Sequence, residues 1–187
     1  MPNLISILSF VGKKAFFCVM PGFEWFGEEE RKEVQDVLNT GILMRYNFEI
    51  QRNGHWKAKT LEEGLRAHTE AKYVHVCNSG TASLLMALAA FGVGDGDEVL
   101  MPTFTFVASF EAVMHTGAIP VPIDVDDTLS MDPNAAREAV SDATRVLMSV
   151  HMCGEMANMD ALKAMAEEKG IFLLEDACQA FGAEAKG

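Results

Sequence analysis

From Tyr73 to Asp176 short β-rich runs alternate with helical patterns, and that alternation leaves few folds open. The runs are Tyr73–Cys77, Glu98–Met101, Ile119–Val125, Arg145–Val150 and Ile171–Leu174, the last running into Glu175-Asp176. Between them lie Thr81–Phe91, Phe106–His115, a segment opening at Asp132-Pro133, and Met159–Lys169. Strands that alternate with helices of this length build βαβ units, and such units build a parallel sheet. The expected class is α/β.

Local chemistry refines that expectation. Thr81–Phe91 is apolar on nearly every side, which predicts a buried helix. Pro120 and Pro122 cannot donate to a ladder, so their strand belongs at an edge or a bend. Asp132 before Pro133 reads as an N-cap followed by proline at the first helical position. Upstream, Gly27–Leu38 carries charges and spaced apolar residues, which predicts a surface helix stopped near Gly41. Residues 42–57 read as an irregular, aromatic loop, and Thr60–Lys72 as a second helix with Leu61 and Leu65 four apart.

Composition narrows the function classes. The 187 residues are 49% hydrophobic and 22% charged, which excludes a largely disordered chain. Fifteen basic residues stand against 27 acidic ones, a net charge of −12. That balance argues against a nucleic-acid partner, which requires Lys and Arg against phosphates. Cys18, Cys77, Cys153 and Cys178 form no CxxC pair, so neither a disulfide framework nor a zinc site is expected. They read as small buried hydrophobes in a reducing, cytoplasmic compartment.

The first residues stand apart. Leu4–Val11 and Ala15–Met20 are apolar and Lys13-Lys14 lies between them, the wrong charge order for a signal peptide. Neither run reaches the ~18 residues of a membrane helix. The expected organisation is a tail or an over-extended start at 1–19, helices and a loop at 20–72, and a sheet domain at 73–187.

Ligands of open parallel sheets sit outside the carboxyl ends of the strands. Ser79-Gly80-Thr81 follows a strand-like run and opens a helix, where free N–H groups and the helix dipole favour an anion. Pro102–Phe106 places aromatics at a strand end, where they either stack on a planar ring or pack in the core. Glu175-Asp176 ends an apolar strand, and a carboxylate there needs a charged or hydrogen-bonding partner. Asp124, Asp126 and Asp127 read as a solvated loop rather than a metal site, and His151 as a structural histidine or a general base.

Four segments in this order resemble the DegT/DnrJ/StrS sugar aminotransferases: Asn78–Ala82, Pro102–Ser109, Val150–Gly154 with Met159-Asp160, and Glu175–Ala180. The likeness runs from about Pro21 to Gly187. It implies the three-layer large domain of fold type I pyridoxal-phosphate (PLP) transferases, truncated at its C-terminus. It implies PLP as cofactor, a keto sugar and an amino acid, with glutamate the expected donor, as substrates, and a homodimer. Gly80 and Thr81 match the residues that hold the PLP phosphate, and Phe106 the ring that stacks on the pyridine. Asp176 matches the partner of the pyridine nitrogen, and Gln179 the side chain near the ring's 3-oxygen. The Schiff-base lysine is expected beyond Gly187. Lys186 is not its match, because the resemblance aligns it with the Lys-Gly of a surface turn in the family and not with the catalytic segment. In related sugar dehydratases a histidine replaces that lysine, so this alternative stays open, as does a non-catalytic fragment. Pro21–Glu24, Arg45–Phe48 and His151–Gly154 further resemble the branch that aminates an 8-keto form of the lipopolysaccharide sugar acid Kdo.

Overall fold

The computed structural model describes residues 26–184. The apolar runs of residues 1–20, the expected tail or over-extended start at 1–19, Cys18, the Pro21–Glu24 motif and Lys186 lie outside them. The chain divides after Val74 into two units.

In the first unit, α1 (Glu28–Thr40) opens where the Glu30 carboxylate reaches back to accept the Gly27 N–H at 2.7 Å. It stops at Gly41, which takes the left-handed conformation (φ 68°) expected of a terminating glycine. The expected loop at 42–57 contains a short helix, α2 (Glu49–Arg52). Its cause is one side chain. Buried Arg52 donates through Nε to the Asn47 carbonyl at 2.7 Å and through a terminal nitrogen to the carbonyls of Met44 and Tyr46. Its guanidinium also sits 4.3 Å from the centre of the Trp56 ring. The third helix, α3 (Lys57–Thr69), begins earlier than Thr60 and ends before Lys72.

The second unit holds α4 (Gly80–Ala90), β1 (Glu98–Pro102), α5 (Val107–His115), β2 (Ile119–Ile123), α6 (Pro133–Ala139), β3 (Thr144–Val150), α7 (Met159–Lys169) and β4 (Phe172–Asp176). The four strands are parallel in the order β2-β1-β3-β4. Side chains alternate across the sheet and build two cores. Val99, Met101, Val146, Met148 and Val150 face α4 and α5, where they meet Leu84, Leu88, Ala112 and Val113. Leu100 and Leu147 face the other way, onto Ala136 of α6 and Leu162 and Met165 of α7. The result is helix, sheet, helix: three layers, as the resemblance implied.

The prolines of β2 explain its place. Ile119 donates its N–H to the Asp97 carbonyl, so residues 119, 121 and 123 turn their donors toward β1. Pro120 and Pro122 face the open edge, where a missing N–H costs no bond. Asp132 caps α6 through a 2.8 Å bond from the Asn134 N–H, with Pro133 first in the helix. Gly117 sits at φ 85° after α5, and a Cβ there would run into the Asp95 carboxylate.

Three expectations need correction. Tyr73–Cys77 forms no strand. β-propensity expresses fit to a paired, half-buried surface, and this segment is not part of the ladder. α4 is not buried all round: Leu84 and Leu88 are buried and Leu85 packs partly against the same core, while Met86 on another face is exposed. Cys77, Cys153 and Cys178 are exposed, because they sit in strand-end and helix-start turns rather than in the packed layers.

Candidate functional site

Because the strands are parallel, their carboxyl ends share one edge of the sheet. The segments after β1, β3 and β4 meet the N-terminus of α4 there, around a cavity of about 530 Å³. That is a volume suited to a small organic ligand. Gly80, Thr81, Phe106, Asp176 and Gln179 all line it, and so do His151 and Glu175.

At one wall, Ser79 caps α4 by accepting the Ala82 N–H on its hydroxyl at 3.1 Å. The N–H groups of Gly80 and Thr81 have no acceptor within the helix, as at any helix start, and so remain available to an anion. A Cβ on Gly80 would meet only Cys178 Sγ, at 3.9 Å. The glycine therefore answers no steric demand of the fold at that point.

Asp176 closes β4. One carboxylate oxygen accepts the Cys178 N–H at 3.0 Å, which folds the chain back over the strand end. The second oxygen is left to receive a donor. Phe106 is the N-cap residue of α5 and is 66% exposed as a residue. An exposed phenyl ring on a cavity wall offers a flat apolar face to a planar ligand.

Gln179 is held from the neighbouring strand end. Its Oε1 accepts the Cys153 N–H at 2.7 Å. His151 is almost wholly buried, its Nδ1 accepting the Ala157 N–H at 3.3 Å. That bond puts the neutral ring's proton on Nε2, which lies 3.1 Å from Glu175 Oε1, near enough to pair but not aligned as a hydrogen bond. The His151 N–H donates to the Asp176 carbonyl at 3.1 Å, extending the β3–β4 ladder into the site. His151 thus ties two strand ends together. The pairing of His151 with Glu175, and of Cys153 with Gln179, has no local sequence signal, since each partner lies more than 20 residues away.

Asp126 is used within its own turn, accepting from the N–H and hydroxyl of Thr128. No group of metal-ligating side chains forms among the described residues. No helix among them is long and apolar enough to cross a membrane.

The arrangement fits pyridoxal phosphate on these grounds: an anion seat at a helix start, a half-free carboxylate, an exposed aromatic face and a fixed carboxamide on one cavity.

Known proteins agree. The chain is 38% identical over 168 residues to 3-amino-5-hydroxybenzoate synthase of Amycolatopsis mediterranei, covering 89% of this chain and 42% of that one. It is 41% identical over 173 residues to dTDP-3-amino-3,4,6-trideoxy-alpha-D-glucose transaminase of Streptomyces venezuelae, covering 92% and 43%. The crystal structure of a 3-amino-5-hydroxybenzoic acid synthase superposes with a TM-score of 0.78 at 38% identity, over 87% of this chain and 41% of that one. The PLP form of a sugar aminotransferase described as putative, from Streptococcus pneumoniae, superposes with a TM-score of 0.77 at 30% identity, over 87% and 43%. The chain spans about two-fifths of the length of these relatives. The profile of the DegT/DnrJ/EryC1/StrS aminotransferase family matches residues 25–187, and the chain belongs to that family.

Proposed function

We propose that this chain supplies the cofactor-binding part of a PLP-dependent aminotransferase that aminates a keto sugar. One observation carries the reading. Five residues from three separated segments, Gly80-Thr81, Phe106, and Asp176 with Gln179, line a single cavity at the carboxyl edge of the sheet. PLP supplies an electron sink for moving an amino group, and the protein binds, orients and tunes it. Gly80 and Thr81 hold the phosphate with their N–H groups. Phe106 covers one face of the pyridine. The free oxygen of Asp176 meets the ring nitrogen and favours its protonated form, as an opposite charge does for any cation. Gln179 meets the ring's 3-oxygen.

The wider protein follows from the same reading. Residues 73–187 belong to the PLP-binding domain, residues 20–72 form a separate segment of helices and a loop, and the Schiff-base lysine lies beyond residue 187. The protein acts in the cytoplasm as a homodimer. The acceptor is a keto sugar, with 8-keto Kdo the specific candidate on the strength of Arg45–Phe48 and His151–Gly154. Relatives named as transaminases of a dTDP-sugar and of 2-deoxy-scyllo-inosose support a sugar-like acceptor; the second names glutamine as donor, beside the glutamate that the family resemblance implies.

Pyridoxamine 5′-phosphate tests the cofactor reading, because it binds without a lysine. The 187-residue chain should take it up in an equilibrium titration. Asp176→Ala should weaken binding roughly 10- to 100-fold, the worth of a charge-assisted hydrogen bond. Equal binding by the variant would remove Asp176 from the site. For the substrate, the full-length enzyme with glutamate and 8-keto Kdo should release 2-oxoglutarate; release only with a nucleotide-linked keto sugar would reassign the acceptor.

A further inference from the structure

The turn after β3 is built against the site in an unusual way. Met152–Gly154 is a single 3₁₀ turn, and Cys153 within it has φ 57° and ψ 18°. That left-handed conformation is disfavoured for a side chain with a Cβ, other than the short polar ones. Gly154 follows at φ 83°, so two successive residues are left-handed. At this left-handed turn the Cys153 N–H meets the Gln179 side-chain oxygen, 2.7 Å away. A Cβ on Gly154 would lie 3.5 Å from the Gln179 carbonyl oxygen, so the same turn also packs against the Gln179 backbone. Strained residues persist where the surroundings hold them, and here the held group faces the cavity.

The chemistry of the bond fixes an orientation. An N–H can be met only by the carboxamide oxygen, so Oε1 is the atom turned to Cys153 and the NH₂ group is the one left over. We propose that Cys153 is a positioning residue. Its backbone N–H locks the Gln179 carboxamide with its NH₂ toward the cavity, which makes Gln179 a hydrogen-bond donor to the 3-oxygen of the bound ring. This rests on the assignment of Gln179 to that oxygen, and it adds that a residue with no cofactor contact sets the sign of the interaction. A carboxamide free to flip would present acceptor and donor alternately, and an acceptor repels an anionic oxygen.

The test compares two probes on the 187-residue chain: pyridoxamine 5′-phosphate and its 3-deoxy analogue, which lacks the ring oxygen. The wild-type chain should prefer the first by about tenfold, the value of one good hydrogen bond. Gln179→Met and Cys153→Val should both abolish the preference, the second because a β-branched residue resists the left-handed conformation. Cys153→Gly, which keeps the N–H and accepts that conformation, should retain it. General damage would weaken both probes alike and leave their ratio unmoved. A wild-type ratio in Cys153→Val, with the ratio lost in Gln179→Met, overturns the lock and spares the cofactor reading. A wild-type ratio in Gln179→Met overturns the assignment of Gln179 and the lock with it, and no binding of either probe to the wild-type chain overturns the cofactor reading on which both rest. Should Cys153→Val fail to fold, amide exchange at Cys153 decides: about tenfold faster exchange in Gln179→Met supports the lock, and an equal rate overturns it.

Discussion

The two units of this chain are held together by opposite means. In the sheet unit the interior is mainly apolar: Leu100, Leu147, Met148, Leu162 and Val113 are fully buried, joined by a few hydroxyl residues and by His151 at the strand ends. In residues 26–74 the only buried residues are Arg52 and Glu62, both ionisable, while Leu43, Tyr46, Ile50 and Leu61 are exposed. Arg52 gathers three carbonyls, Arg45 pairs with Glu62, and Lys57 bridges Glu33 and Asp36 across α1 and α3. The lesson concerns sources of order. A sheet sandwiched by helices draws its stability from area removed from water, about 25 cal/mol per Å². A short helical segment without that area is ordered by directional contacts, which specify a loop shape well and stabilise it less.

The largest expected effect breaks the apolar side of the comparison. Leu147→Ala removes a side chain buried on β3 between α6 and α7. It should cost about 2–5 kcal/mol, transfer and cavity terms together, measured by chemical denaturation. Ile50→Ala in the first unit should change stability by no more than about 0.5 kcal/mol, since Ile50 is 90% exposed. Similar costs for the two would show that the burial contrast does not govern stability.

Arg52→Met breaks the polar side. It keeps bulk but removes every donor to the carbonyls of Met44, Tyr46 and Asn47. The loss should be about 1.5–3 kcal/mol, as for hydrogen bonds to a charged group. It should show as faster amide exchange in residues 44–53, with the Asn47-Phe48 left-handed pair released. Unchanged exchange there would mean that the loop is ordered by something other than the guanidinium.

The sequence made one side of this contrast far more legible than the other. The alternation of strands and helices, the edge position of β2 from Pro120 and Pro122, and the Asp132-Pro133 helix start are local or periodic signals, and they appear in the fold as expected. α2 was not legible, because its cause is a long side chain reaching back to residues 44–47, with no period to announce it. The Tyr73–Cys77 run misled because β-propensity says what a residue tolerates and not whether a partner strand is present. In the site, chain order marked the strand ends, and the resemblance picked out Gly80, Thr81, Phe106, Asp176 and Gln179, which line one cavity. The left-handed Cys153 was invisible, since no glycine or asparagine flags that position.

Gly80 separates what the site needs from what the fold needs. A Cβ there meets only Cys178 Sγ at an ordinary distance, and alanine is the better helix former. Gly80→Ala should therefore leave thermal stability unchanged or slightly raised. It should weaken pyridoxamine 5′-phosphate about tenfold by crowding the approach to the N–H groups, read by the same titration. A folding defect would place the glycine in the fold's service after all.

The smallest effect concerns a surface charge of the sheet unit. Arg137 on α6 donates to Glu168 on α7 at 2.7 Å, and both side chains are about half exposed. That hydrogen bond first, then the opposite charge, holds the Glu168 carboxyl below the ordinary value of 4.5. A carboxyl lowered in the folded state adds stability above its unfolded value, and the addition is lost as pH falls through the folded one. Glu168→Gln should thus lower the melting temperature slightly at pH 7 and converge on the wild type as pH falls well below 4.5. Salt should narrow the gap, because an exposed pair is screened. A pH-independent gap would mean that Glu168 acts through packing. A gap as large as that of Arg52→Met would erase the distinction between charges that order the first unit and charges that only decorate the second.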